Sequence, residues 1–361
     1  MQLRIPGPTP VPDSILKSMT KQMIDHRGPE FVEMLNKVTD TLKKIYQTKG
    51  DIFLLTGSGT GGMEAAVVNT LSPGDKVLVV SNGAFGDRFG NIAQAFGAQV
   101  ERLNLEWGKA VDPQQVRQAL SKDGGIKAVL VTHNETSTGI TNDLGAISSV
   151  VREFDKLLIV DAISSLGAID LPTDKWGCDI VVTGSQKSWM TPPGLAMVSV
   201  SERAWKANAQ AKMPRFYWDF SKAKKFLEKG QTPWTPAVST IYALAKALEI
   251  FEKEGLNNIV ARHVRVGAKA REGVKSLGLS LYADENYASN TVTAINVPEG
   301  VDAKKLLKIL REEYNTVLSG GQQKLDGKIF RIGHLGYVNE KDIDITLKSI
   351  KAALPKARIA G

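Results

Sequence analysis

Residues 157–165 read Leu157-Leu158-Ile159-Val160-Asp161-Ala162-Ile163-Ser164-Ser165, an unbroken apolar run closed by a carboxylate. A strand that is apolar at every position is buried on both faces, as inside a parallel sheet. The same pattern recurs in both directions along the chain. Upstream stand Asp51-Ile52-Phe53-Leu54-Leu55-Thr56, Asp75-Lys76-Val77-Leu78-Val79-Val80 and Ala128-Val129-Leu130-Val131-Thr132. Downstream stand Asp179-Ile180-Val181-Val182-Thr183 and Leu195 to Val200. Helical patterns at Met63 to Leu71 and Arg88 to Phe96 lie between them. This alternation predicts an α/β fold, with a mainly parallel sheet flanked by helices.

Toward the end of the chain the pattern changes. Ser239 to Glu254 reads as a long amphipathic helix ending near Gly255. Helices around 259–277 and 303–314 then alternate with strands near 291–297 and 329–332, the mark of a smaller α+β domain. The expected division is an extended arm (1–17), a large domain (18–254) and a small C-terminal domain (255–361). Pro6, Pro8, Pro10 and Pro12 keep the arm extended, because each disfavours the α region for the residue before it. Such an arm docks on something, and a partner subunit is one candidate. Asp13 is expected to cap a helix running through Lys17 to Met23.

Composition narrows the chemistry. A chain of 361 residues with 42% hydrophobic and 23% charged residues is an ordinary globular mixture. No apolar run reaches the roughly 18 residues of a membrane span, and the N-terminus does not read as a secretory signal. A cytoplasmic location is the expectation. The single cysteine, Cys178, rules out a thiolate-rich metal centre, and four scattered histidines have no metal-binding spacing. No metal site is expected. The formal charge of +8 is spread over 46 basic and 38 acidic residues. Its densest group, Lys222, Lys224, Lys225 and Lys229, shows no repeating aromatic platform, so it reads as a solvated face rather than a nucleic-acid patch.

In an open parallel sheet, ligands bind beyond the carboxyl ends of the strands. Four such ends carry reactive potential. Thr56-Gly57-Ser58-Gly59-Thr60-Gly61-Gly62 lies between a strand and a helix, where glycines admit an anion and the helix offers free N–H groups. A dinucleotide site would need an acid at the end of the next strand, but that strand ends Val80-Ser81-Asn82-Gly83. A phosphate cradle fits best, with a plain turn as the alternative. Asp161 closes its strand as a helix cap or a functional group. Lys187, in Ser185-Gln186-Lys187, follows a buried strand directly. Desolvation there would make its amine nucleophilic, while a structural ion pair is the other reading. The polar loop His133-Asn134-Glu135-Thr136-Ser137-Thr138-Gly139 is the fourth. A phosphate cradle, an acid and a lysine at neighbouring strand ends are what pyridoxal phosphate demands.

At this point the chain resembles the class V aminotransferases of pyridoxal-phosphate fold type I, nearest the alanine–glyoxylate, serine–glyoxylate and serine–pyruvate enzymes. The motifs that carry the resemblance occur in order. They are Pro6-Gly7-Pro8-Thr9, His26 to Phe31, Thr56 to Gly62, Asn82 to Gly86, His133 to Gly139, Asp161 to Ser165, Ser185 to Lys187 and Phe330 to Gly333. The resemblance implies a seven-stranded type of sheet and pyridoxal 5'-phosphate as cofactor. Lys187 would hold the cofactor as a Schiff base and shuttle the proton, and Asp161 would pair with the ring nitrogen. Ser58, Gly59 and Thr60 would hold the phosphate, with Gln186 near the ring or phosphate. Phe85 would stack on the ring, where relatives often carry Trp, and Thr136 would lie near the ring hydroxyl. Thr235, in Gln231-Thr232-Pro233-Trp234-Thr235-Pro236, would reach the neighbouring subunit's phosphate. Arg331 would grip the substrate carboxylate, with Gly7 beside the substrate. A homodimer with shared active sites is implied, the arm and the Thr235 loop crossing between subunits.

The expected reaction moves an amino group from a small amino acid, serine or alanine, to the 2-oxo acid glyoxylate or pyruvate. Arg27 is the one candidate for a second cation that would admit a dicarboxylate donor. A desulfurase would need a cysteine beyond Cys178, and none follows. The alternative is a non-catalytic subunit of a larger complex, such as a soluble hydrogenase subunit, keeping the fold for assembly.

Overall fold

A computed structural model describes residues 1–359. The sheet strands are β1 (Asp51–Thr56), β2 (Lys76–Ser81), β3 (Gln99–Asn104), β4 (Ile126–Thr132), β5 (Leu157–Asp161), β6 (Ile180–Gly184) and β7 (Leu195–Val200). They form one seven-stranded sheet in the order β1-β7-β6-β5-β4-β2-β3. Pairings from β6 through β3 are parallel, while β7 runs antiparallel to both β1 and β6. The expected α/β architecture is present.

The apolar runs explain themselves once their faces are followed. Leu78, Val80, Val129, Val131, Leu158, Val160 and Val181 pack on one side, against helices Pro29–Tyr46 and Val238–Glu254. Their alternating neighbours Val77, Val79, Ala128, Leu130, Ile159 and Val182 pack on the other, against Gly59–Thr70 and Ala84–Ala95. Each fully buried Val or Leu contributes about 1.5–3 kcal/mol, so both faces hold the sheet. β3, at one edge, has no such run: its faces are poorly covered and its residues alternate between exposed and half-buried. That is why its sequence does not read as a strand of this sheet.

The small unit carries a three-stranded antiparallel sheet. Its central strand, Ile329–Gly333, lies between Val292–Asn296 and Ser319–Gly320. The helices Leu256–Ser276, Ala303–Glu312 and Glu340–Ala353 cover it. Gly255, at φ 82°, separates the two long helices.

The arm differs from expectation. Gln2–Leu3 pairs in parallel with Thr316–Val317, and Gly333 N–H donates to the Arg4 carbonyl at 2.7 Å. Arg4, 5% exposed, makes an ion pair with Asp342 at 2.6 Å. The arm is thus anchored on the small unit of its own chain, by sheet hydrogen bonds that an arm crossing to a partner would not make. The helix after it is Asp13–Ser18, shorter than expected, and Asp13 is its first residue rather than its cap, which is Pro12. The helix after the glycine stretch also starts earlier than its apolar pattern, at Gly59 instead of Met63.

Candidate functional site

The carboxyl ends of β1, β2, β4, β5 and β6 converge on a cavity of about 100 Å³. Ser58, Gly59, Thr60, Phe85, Thr136, Asp161, Gln186 and Lys187 all line it, together with Arg88, Asn134, Ile163 and Ser164. Sheet register explains the gathering. Asp161 pairs with Thr132 on β4 and Val182 on β6, and Lys187 follows the end of β6 by three residues.

Two helix N-termini face this region, and they are treated differently. Helix Ala84–Ala95 has its first N–H groups capped by the chain itself. Ala84 N donates to Ser137 Oγ at 2.9 Å, and Phe85 N and Gly86 N donate to Glu135 Oε2 at 3.0 Å each. Helix Gly59–Thr70 starts after Ser58, which makes no side-chain cap. Among the described residues the N–H groups of Gly59, Thr60 and Gly61 have no protein acceptor. Three orphan donors at a helix start attract an anion. Gly59 is needed for close approach, since a Cβ there would lie 2.5 Å from Ile163 Cδ1. Nearby, the buried Gln186 Oε1 also lacks a partner.

Asp161 is 3% exposed. Its Oδ1 accepts from Ile163 N at 2.9 Å, and Thr132 Oγ1 lies 3.4 Å from Oδ2. Burial pushes its carboxyl up to about 7, and the Glu135 charge adds to the rise. A positive group beside it would therefore be held strongly.

Lys187 lies under the arm. Its Nζ donates to the Pro6 carbonyl at 2.7 Å, and its backbone carbonyl accepts from Thr9 Oγ1 at 2.9 Å. Burial lowers its ammonium to about 8; Asp161 opposes this, while Arg331 and Arg88 add to it. The neutral amine is accessible near physiological pH, as a nucleophile or proton carrier requires. Gly7 (φ +128°) leaves room for it: a Cβ would sit 2.6 Å from Lys187 Cδ and 2.7 Å from Nζ.

Arg331, on the central strand of the small sheet, is 5% exposed. Nε donates to the Gly320 carbonyl at 2.9 Å and Nη1 to the Thr136 carbonyl at 3.0 Å. No ion pair is formed by Arg331 among the described residues, and burial lowers it to about 10. A buried guanidinium with three N–H donors left over suits a carboxylate ligand.

Other expected residues are placed elsewhere. Thr235 is exposed and lies beside Tyr217, Trp218 and Trp234, outside its own chain's cavity. Arg27 is committed to that loop: its guanidinium donates to Gln231 Oε1 (3.1 Å), the Thr232 carbonyl (2.6 Å) and the Pro233 carbonyl (3.2 Å), and stacks on Phe226. That corrects its reading as a second substrate cation. Lys222 does have an aromatic support, the stacked Phe216 and Trp234, and Lys224 pairs with Asp51.

The sequence reading gave Arg88 no role in the site, and included Asn134 and Glu135 in the polar loop without a role of their own. Glu135 is fully buried, and burial raises its carboxyl against four donors that favour the ion. Arg88 stacks on Phe85 at 4.8 Å and forms no ion pair among the described residues. Asn134 bonds Ser164, Thr141, Ser289 and Thr291, tying the cavity floor to the small unit. The signals were a carboxylate in a loop after an apolar strand, and an Arg one helical turn after Phe85.

The family model described as aminotransferase class-V matches residues 3–344. A "soluble hydrogenase 42 kDa subunit" of Anabaena cylindrica is 46% identical, over 98% of this chain and 93% of that protein. An L-aspartate–glyoxylate aminotransferase of Paracoccus denitrificans is 40% identical, over 93% of this chain and 86% of that protein. Among solved structures, an alanine–glyoxylate aminotransferase from Nostoc sp. superimposes with a TM-score of 0.94 at 30% identity, covering 98% of this chain and 94% of the other.

Proposed function

The chain belongs to the class-V aminotransferase family, and on that premise we propose that it transfers the amino group of serine or alanine to glyoxylate or pyruvate. Pyridoxal 5'-phosphate is the cofactor. The residues of the cavity fit it: an open helix N-terminus for the phosphate, Phe85 beside a ring, a buried acid for its nitrogen, and an unpartnered Gln186 oxygen that can accept from a donor on the group. When bound, it supplies the carbonyl that takes the amino group and a ring that accepts the electron pair of the broken Cα–H bond.

The chain's own residues do the rest. Ser58, Gly59 and Thr60 would hold the phosphate, and Gln186 would lie near the ring or phosphate. Asp161 keeps a proton on the ring nitrogen, since a buried carboxyl at about 7 ionises most readily beside a cation. Lys187 is the attachment lysine, and its Nζ then takes the proton from the substrate α-carbon. Lowered to about 8, it is close enough to neutral to do so. Thr136, which lines the cavity, would lie near the ring hydroxyl. Arg331 binds the substrate carboxylate and fixes which Cα–H bond faces Lys187, with Gly7 alongside. The observation that carries this reading is the buried Arg331, which forms no ion pair among the described residues, close to a half-buried lysine and a buried acid.

Arg88 supports a second reading, an acidic donor such as aspartate, because a second free cation stands in the cavity. The test is the visible absorbance of the purified holoenzyme. Serine or alanine should bleach it, and Lys187→Ala should abolish it. A spectrum that answers aspartate alone, and loses that answer in Arg88→Leu, would replace the first reading.

The assembly we infer is a homodimer in which the exposed Thr235 loop reaches the neighbouring phosphate, with exposed Phe216 and Tyr217 beside it. The division into arm (1–17), large domain (18–254) and small domain (255–361) is also proposed; residues 360–361 lie outside the described residues. No described helix is long and apolar enough to cross a membrane, and we place the protein in the cytoplasm. A hydrogenase role, which the Anabaena relative's name suggests, is poorly supported. Hydrogen activation needs several thiolates around metal, and the one cysteine is buried with its thiol pushed up to about 12.

A further inference from the structure

We propose that Glu135 is a positioning residue for the transfer reaction, locking the helix that presents Phe85 to the loop that presents Thr136 and Arg331. It rests on the roles assigned above to Phe85 and Arg331.

The side chain is fully buried and pairs with no cation among the described residues. Such an ion persists only where donors replace its water. Here Oε2 accepts from Phe85 N and Gly86 N, both at 3.0 Å, and Oε1 accepts from Ser137 N at 3.1 Å and Ser137 Oγ at 2.6 Å. Ser137 Oγ in turn accepts from Ala84 N at 2.9 Å. The first three N–H groups of helix Ala84–Ala95 therefore end on one loop. Caps normally come from the residue just before a helix. That residue is Gly83, which makes no side-chain cap, and a Cβ there would overlap the Glu135 carboxylate.

A local cap would stabilise the helix without connecting it to anything. This one joins three parts of the site. Phe85 lines the cavity from the helix start, Thr136 follows Glu135 in the loop, and the Thr136 carbonyl accepts from Arg331 at 3.0 Å. A shift of the carboxylate would move the ring face and the substrate clamp together.

Glutamine is a sharp probe because it keeps the volume. Oε2 faces two backbone N–H groups and Oε1 faces one together with the Ser137 hydroxyl, so either orientation of the amide turns its NH₂ against at least one backbone N–H. In holoenzyme E135Q, the visible circular dichroism of the bound cofactor should change, and KM for the amino donor should rise about tenfold or more, with kcat falling less. S137A, which removes one donor, should move both in the same direction by less. A lowered unfolding temperature with circular dichroism unchanged and KM within about twofold would reduce Glu135 to a helix cap and overturn the proposal. Should E135Q fail to accumulate, S137A decides, and an unchanged spectrum and KM there would overturn it equally. Visible absorbance retained in Lys187→Ala would instead sink the reading underneath.

Discussion

Replacing Arg331 by Lys tests the substrate clamp most directly, because charge survives while geometry does not. The guanidinium gives Nε to Gly320 and one Nη1 hydrogen to Thr136, leaving three donors for a ligand. A lysine offers three donors from one point, so it cannot hold both carbonyls and also grip a carboxylate bidentately. The loss is on the order of one charge-assisted hydrogen bond, about 1.5–3 kcal/mol, or roughly 10- to 150-fold in affinity. Because the carboxylate is bound both before and during proton removal, the larger change should fall on KM for the amino donor, with a smaller loss in kcat from the orientation Arg331 gives the Cα–H bond. Steady-state transamination with serine or alanine and glyoxylate measures it. A KM within about threefold of the parent, or a loss confined to kcat, would refute the assignment.

Asp161→Asn should do the opposite, lowering kcat by about a hundredfold or more with little change in donor KM, since it removes the charge that keeps the ring nitrogen protonated; equal kcat values would refute the pairing. Gly7→Ala places a methyl 2.6 Å from Lys187 Cδ at a backbone angle that costs about 1–3 kcal/mol, so kcat/KM should fall at least about tenfold with the far-ultraviolet spectrum intact. An active G7A would take the arm out of the site. Cofactor uptake by the apoenzyme should quicken as pH rises through about 8, because burial lowers Lys187 and leaves about a tenth of it neutral at pH 7. A midpoint near the ordinary lysine value, measured by recovery of visible absorbance, would show that Lys187 is not the attacking amine.

How far the sequence could be read depended on the range of the forces involved. Strands β1, β5 and β7 were legible to the residue, because a strand buried on both faces must be apolar throughout. Strand β3 was not, since its faces are poorly covered and its residues alternate between exposed and half-buried. The cavity residues Ser58 to Thr60, Asp161, Gln186 and Lys187 announced themselves as polar groups at the ends of apolar runs. Arg27 misled, because its type fits a clamp and only its partners reveal that it holds the Thr232–Pro233 carbonyls.

By itself, then, the sequence determined the layered α/β plan, the place of the acid and lysine at strand ends, and the family. Those follow from local pattern: burial period, strand length and residue type. Only the tertiary structure decided that the arm crosses Lys187 in its own chain, that Arg331 keeps three donors free, and that Glu135 caps a helix 49 residues away in the chain. Each follows from contacts between residues remote in sequence, and no local pattern records which partners those are.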